Sequence, residues 1–138
     1  MKYFFDTNII IDILDKKEGA IEKLEALLLE DSEILINRLV YLESLRTIHF
    51  KHKRIFKEAK ETLDSFEKLD IKQEIYDKAV KFSRFCHSRG IKIKGKCEAI
   101  DFLHFITAKY YKLKIVSNDR DLEKLEDAYI EFLESCDE

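Results

Sequence analysis

The chain has 138 residues, 46% of them hydrophobic and 38% charged, with a formal charge of −3. That is the size of one domain (residues 1–138), able to bury about two-thirds of its unfolded surface, and the composition excludes a disordered chain. No run approaches the ~18 consecutive apolar residues of a membrane span, and no basic-then-apolar leader opens the sequence, so a soluble, cytoplasmic protein without membrane association is expected.

Cys86, Cys97 and Cys136 are odd in number and lack CxxC spacing, which fits a reducing compartment better than a disulfide framework. The acidic balance does not advertise a nucleic-acid binder. Two bound divalent cations would reverse its sign, so net charge does not decide the partner.

In chain order, residues 2–5 read as a short apolar strand that stops at Asp6. A helix follows from Ile9 to about Asp15, and a stronger one after Gly19, with Ile21, Leu24, Leu27 and Leu28 on one face. "ILI" (34–36) is the next strand, and Asn37 is placed to N-cap a helix running to about Phe50 with Leu42, Leu45 and His49 on a face. "KHKR" (51–54) marks a break. Phe56, Ala59, Leu63 and Phe66 then recur at helical spacing, and 68–72 is a short strand or extended link. Ile75, Ala79, Phe82 and Cys86 define a helix that Gly90 terminates. "IKIKGKCE" (91–98) reads as a basic loop, and Ile100, Leu103, Ile106 and Tyr110 as a helix. "KLKIV" (112–116) is a strand, 119–125 a short helix, and "AYIEFL" (128–133) a last strand. Strands separated by helices imply parallel pairing through crossovers, hence an α/β chain of three layers, an α/β/α sandwich around a central parallel sheet. Ligands of such sheets bind beyond the carboxyl ends of the strands.

The acids fall where that rule points. "FFDTNIII" places Asp6, Thr7 and Asn8 inside the most apolar run of the chain, and "KIV" runs into Ser117, Asn118 and Asp119. Glu43 interrupts "LVYLESL", and Asp101 opens the apolar "EAIDFLHFI" helix. Each has an ordinary reading. Asp6 and Asp119 could cap helices, Glu43 could pair with Arg46 or His49, and Asp101 suits a helix N-terminus. As a set they are harder to explain without a cation, because carboxylates buried side by side are unfavourable unless neutralised. All-oxygen donors suit Mg2+ or Mn2+.

"FFDTNIIIDIL", "INRLVYLE" and "AIDFLHFITAKYYKLKIVSNDRDL", in that order over nearly the whole chain, resemble a PIN domain, and the VapC-type toxin branch most. The resemblance implies a metal-dependent ribonuclease with an acidic pocket at the edge of a parallel sheet. By that likeness Asp6, Glu43, Asp101 and Asp119 match the acidic quartet that binds Mg2+ or Mn2+ and carries catalysis. Asn8 matches the amide that supports the first Asp, and Ser117 the hydroxyl residue before the last acid. Thr7 and Asn8 are then expected to orient Asp6. The resemblance also implies in-line hydrolysis of RNA leaving a 5′-phosphate, a homodimer and, for a toxin, a small antitoxin partner. The chain departs from the pattern in lacking a Pro before Asp101, in adding Glu98 one turn upstream, and in offering Asp121 as a second acid beside Asp119. Asp121 is expected to face solvent or cap its helix if that helix starts at 119, and to swing inward if the turn delays the start.

Other readings are weaker. His49, His52, Cys86, His87, Cys97 and His104 lack the spacing of a zinc site, and no phosphate loop or nucleophile elbow is present. His104, one turn after Asp101, is a packed helix residue by default and a side chain reaching the pocket by the sharper reading. The basic stretches 51–54 and 92–96 are solvated loops by default and phosphate contacts by the sharper reading. The main rival to catalysis is a degenerate PIN domain acting as an RNA-binding or assembly module. A phosphorylated receiver-like protein would need a strand-end Lys that "KIVSND" does not supply.

Overall fold

Tyr3, Phe4 and Phe5 alternate poorly but bury well, as strands of a parallel sheet do. They belong to β1 (Lys2–Phe5) of a computed structural model that describes residues 1–93, 98–118 and 120–136. Asp119, residues 94–97 with Cys97 among them, and residues 137–138 lie outside the described residues. The elements that follow are α1 (Thr7–Leu14), α2 (Glu18–Leu29), β2 (Glu33–Asn37), α3 (Arg38–Leu45), α4 (Lys53–Asp64) and β3 (Glu67–Leu69). After these come α5 (Gln73–Ser88), α6 (Glu98–Tyr110), β4 (Lys114–Val116) and α7 (Leu122–Cys136).

The chain forms two compact units, one of Met1–Asp70 with Leu113–Asn118 and the other of Ile71–Lys112 with Asp119–Glu138. The first holds the whole sheet, in the order β3-β2-β1-β4, with every pairing parallel. Phe5 is registered with Val116 and Phe4 with Leu35. From β1 the chain steps outward to β2 and β3, then returns to the far side of β1 for β4. The topological switch point therefore lies between β1 and β4, where parallel α/β sheets place their ligands. β4 is an edge strand, so the two acid-bearing strands are one central and one marginal.

Ile9, Ile10 and Ile13 of α1, Val40 and Leu45 of α3, and Ala59 and Leu63 of α4 are buried with the strand residues Phe4, Phe5, Leu35 and Ile36. Burying each large apolar side chain is worth about 1.5–3 kcal/mol. Asn37 caps α3 as its sequence position foretells, its Oδ1 accepting from Val40 N at 2.8 Å. That helix stops at Leu45, short of the expected Phe50. Thr47 Oγ1 donates to Ser44 O at 2.9 Å, a local bond that competes with helix continuation. Leu42 is exposed, and the buried face is Val40, Ser44 and Leu45. In α2 Ile21, Leu24 and Leu27 of the expected stripe are half-buried, Leu28 is exposed, and Ala20 alone is buried.

The second unit is helical. Phe82 of α5 sits among Phe102, Phe105, Tyr129 and Phe132, with ring centroids 5.3–5.6 Å away. Gly90, at φ 69°, ends α5 in a Schellman motif, with Ile91 N donating to Cys86 O at 2.9 Å and Gly90 N to His87 O at 3.1 Å. The expected strand at 128–133 does not form, since "AYIEFL" lies within α7. Leu125, Ala128, Tyr129 and Phe132 are its buried residues, a helical i, i+3, i+4, i+7 set that a six-residue window hides. Among the described residues no helix is long and apolar enough to cross a membrane.

Candidate active site at the carboxyl end of the sheet

β1 ends at Phe5 and α1 begins at Thr7, so Asp6 is the single residue of the junction. Its extended backbone (φ −79°, ψ 174°) lets the side chain fold over the first turn, where Oδ1 accepts from Ile9 N at 3.2 Å. The backbone continues the sheet ladder for one more step, Asp6 N donating to Val116 O at 3.3 Å. This places Ser117 beside Asp6, and the Ser117 hydroxyl donates to Asp6 Oδ2. One carboxylate is thus gripped on both oxygens, by a helix N–H and by a hydroxyl from the neighbouring strand. It is half-buried, at the switch point.

Glu43 reaches the same strand–helix junction from the last turn of α3. Thr7 Oγ1 donates to Glu43 Oε1 at 2.7 Å, so the first residue of α1, next to Asp6, holds a second carboxylate. Arg46 and His49, the partners Glu43 has in its ordinary reading, are exposed beyond the end of α3. Asn8, the amide matched to the support of Asp6, is exposed, and Ile9 N and the Ser117 hydroxyl both donate to the Asp6 carboxylate. Thr7 serves Glu43. A helix carries consecutive side chains about 100° apart, so Asp6, Thr7 and Asn8 cannot all face one point. Further along α1, Asn118 Nδ2 donates to Asp12 Oδ2, and Lys17 Nζ lies 3.0 Å from Asp12 Oδ1. The sequence offers no signal for either the Thr7–Glu43 or the Asn118–Asp12 link, whose partners lie 36 and 106 residues apart.

In the second unit Asp101 occupies the first turn of α6 with Glu98, half-buried where Glu98 is exposed. His104, one turn on, is buried. Asp121 stands immediately before α7, which starts at Leu122 and not at 119, and is only 7% exposed, so the later helix start goes with an inward Asp121 and not a solvent-facing one. Its carbonyl accepts from Leu125 N at 3.0 Å and its carboxylate lies 3.7 Å from Lys124 Nζ.

The donors gathered in the first unit are carboxylate oxygens backed by hydroxyls, the chemistry of a hard-cation site, and to that extent Mg2+ or Mn2+ fits them. Among the described residues no group of three or more His, Cys, Asp or Glu stands together as a metal cage.

A family model described as the PIN domain matches residues 3–128. The chain belongs to the PIN-domain family. PIN domains are generally nucleases, and this one carries the all-parallel mixed α/β sheet of the family. No curated protein matches the sequence. Among solved structures, this PIN domain is similar to a chain of the VapBC2 complex from Rickettsia felis bound to a promoter DNA fragment. That match has TM-score 0.75 and 20% identity, covering 90% of this chain and 92% of that one. It is also similar to a chain of a toxin–antitoxin complex from Klebsiella pneumoniae, with TM-score 0.65, 21% identity, and 85% and 86% of the two chains covered. At these identities the likeness is one of fold.

Proposed function

We propose that this PIN domain is a metal-dependent endoribonuclease of the cytoplasm and the toxin of a toxin–antitoxin pair. The observation that carries the reading is the paired grip on Asp6 and Glu43 at the switch point of a parallel sheet. Two carboxylates held by hydroxyls at a strand–helix junction make an expensive helix cap but a ready oxygen-donor site. Asp6, Glu43, Asp101 and Asp119 are the residues that would hold Mg2+ or Mn2+, the last two assigned by family likeness. A bound divalent ion supplies polarisation of the scissile phosphate and a lowered pKa for the attacking water.

The chain's own residues do the positioning. Ser117 and the Ile9 N–H fix the direction of Asp6, and Thr7 fixes that of Glu43, which orients the water for in-line attack. The products are a 5′-phosphate and a 3′-hydroxyl. The toxin reading draws on the fold shared with chains of two toxin–antitoxin complexes and includes a homodimer and a small antitoxin.

The test is cleavage of RNA by metal-stripped protein. Activity should return with Mg2+ or Mn2+ and stop with EDTA. Persistence in chelator overturns the metal mechanism, and metal-independent RNA binding without any cleavage identifies a degenerate module. Co-expression with a short protein from the adjacent reading frame should give an inactive complex if that protein is the antitoxin.

A further inference from the structure

The link between α3 and α4 carries a feature that the proposed chemistry does not use. No Asp or Glu occurs between Glu43 and Glu58, while Arg46, Lys51, Lys53, Arg54 and Lys57 all do, in a chain that is acidic as a whole. Every residue from His49 to Lys57 is exposed. His52 N donates to His49 O at 2.9 Å, closing a β-turn with Phe50 and Lys51 at its tip. Lys51 N also donates to His49 Nδ1 at 3.1 Å, and the His49 and His52 rings meet edge to face at 5.7 Å. Phe50, between them, is 92% exposed.

Folding does not account for this arrangement. An aromatic ring standing in water adds nothing to a core. Lys53 and Arg54 occupy the first turn of α4, where the helix dipole disfavours cations and no acid offsets them. Arg54 pairs with Glu58 at 3.3 Å on the surface, a contact worth little. Among the described residues Arg46, Lys51, Lys53 and Lys57 enter no ion pair, so their charge is available to a partner. A solvated basic run would be as well made without Phe50, and a hydrophobic contact would be better made without five cations. An exposed ring set among cations is the combination that binds single-stranded nucleic acid, with the base stacked on the ring and its phosphates on the flanking charges.

We infer that the His49–His52 turn, with Phe50 as stacking platform and Lys51, Lys53 and Arg54 as phosphate contacts, is a docking site for single-stranded RNA. The class of nucleic acid rests on the ribonuclease reading above. The turn follows Glu43 by seven residues, so even fully extended chain keeps its tip within about 25 Å of that carboxylate. RNA held there is tethered a short reach from the acids.

The experiment is anisotropy titration of a labelled, unstructured RNA of about 12 nucleotides, using the full chain with Asp6→Asn in EDTA so that binding is read without cleavage. Phe50→Ala should weaken binding about fivefold or more, and Phe50→Tyr should retain it. Lys51→Ala with Lys53→Ala should flatten the dependence of log affinity on log salt by about 1.4, the signature of two single-strand phosphate contacts. Thermal unfolding should be unchanged for Phe50→Tyr. Binding within twofold of the parent for both Phe50→Ala and the double lysine variant overturns the site. So does a change of oligomeric state on Phe50→Ala, which would give the turn to self-association. Cleavage-competent protein with Phe50-independent binding sinks this inference alone. Phe50-dependent binding by a chain that never cleaves RNA sinks only the nuclease reading.

Discussion

Thr7 Oγ1 donates to Glu43 Oε1 at 2.7 Å, joining the start of α1 to the last turn of α3. Hydrogen bonds to charged groups contribute about 1.5–3 kcal/mol. Thr7→Val keeps the shape and removes the donor, and cleavage should fall about tenfold or more through kcat with KM little changed. Thr7→Ser should restore it. Calorimetry with Mn2+ gives a second readout, since a misaligned Glu43 should lower affinity while a purely structural role would move only Tm. Wild-type kinetics for Thr7→Val would remove Thr7 from the positioning machinery.

Asp6 is both a helix cap and the proposed first metal ligand, and two substitutions separate these roles. Asn caps as well as Asp, so Asp6→Asn should keep the bond from Ile9 N, hold or raise Tm, and abolish cleavage. Asp6→Ala loses the cap too, at about 1 kcal/mol, and Tm should drop by roughly 3–5 °C. Full activity in Asp6→Asn would leave the cap as the whole of its function. Asp101→Asn in the first turn of α6 should likewise lose activity without losing the fold.

The end of β1 at Asp6 was legible because it breaks a pattern: three polar residues inside "FFDTNIII" have no place in a buried strand or a buried helix face. Asn37 and Gly90 were legible for the same reason, each being a residue type with a backbone role at an element end. What could not be read was anything that depends on a distant partner. Nothing local tells that Thr7 serves Glu43 while Ser117, from β4, serves Asp6. Nor does the spacing of Leu42 reveal that α3 ends after Leu45 or that Leu42 is left exposed. "AYIEFL" was misread because a six-residue apolar segment suits both periods, and only Leu125, outside it, settles the helix.

Cys86 is buried in α5, and burial, with the charge of Glu98 adding to it, pushes its thiol up to about 11 from an ordinary 9.0. At pH 8 it should resist iodoacetamide in the native protein and react on unfolding in urea. Because its folded pKa is raised, the stabilisation it carries is complete below about pH 9 and lost as pH climbs towards 11. Peptide mass mapping after timed labelling checks the first point, and rapid native labelling at Cys86 would show that α5 opens readily.

The remaining question is which acid after β4 completes the quartet. Asp119 directly follows Asn118, whose amide reaches Asp12, and Ser117, whose hydroxyl reaches Asp6. By sequence it therefore leaves the end of the strand that already serves the first acid. Asp121 is buried at the start of α7, near Lys124, with its carbonyl accepting the helix's first-turn bond from Leu125 N. That is the setting of a structural residue. Asp119→Asn should weaken Mn2+ binding and cut single-turnover cleavage strongly, leaving Tm unchanged. Asp121→Asn should have a several-fold smaller effect on cleavage, whereas Asp121→Ala should lower Tm by a few degrees through loss of about 1 kcal/mol at the helix start. Calorimetry with Mn2+ and thermal unfolding on the three variants distinguish the roles. If Asp121→Asn proves the more damaging to metal binding, the fourth ligand is Asp121.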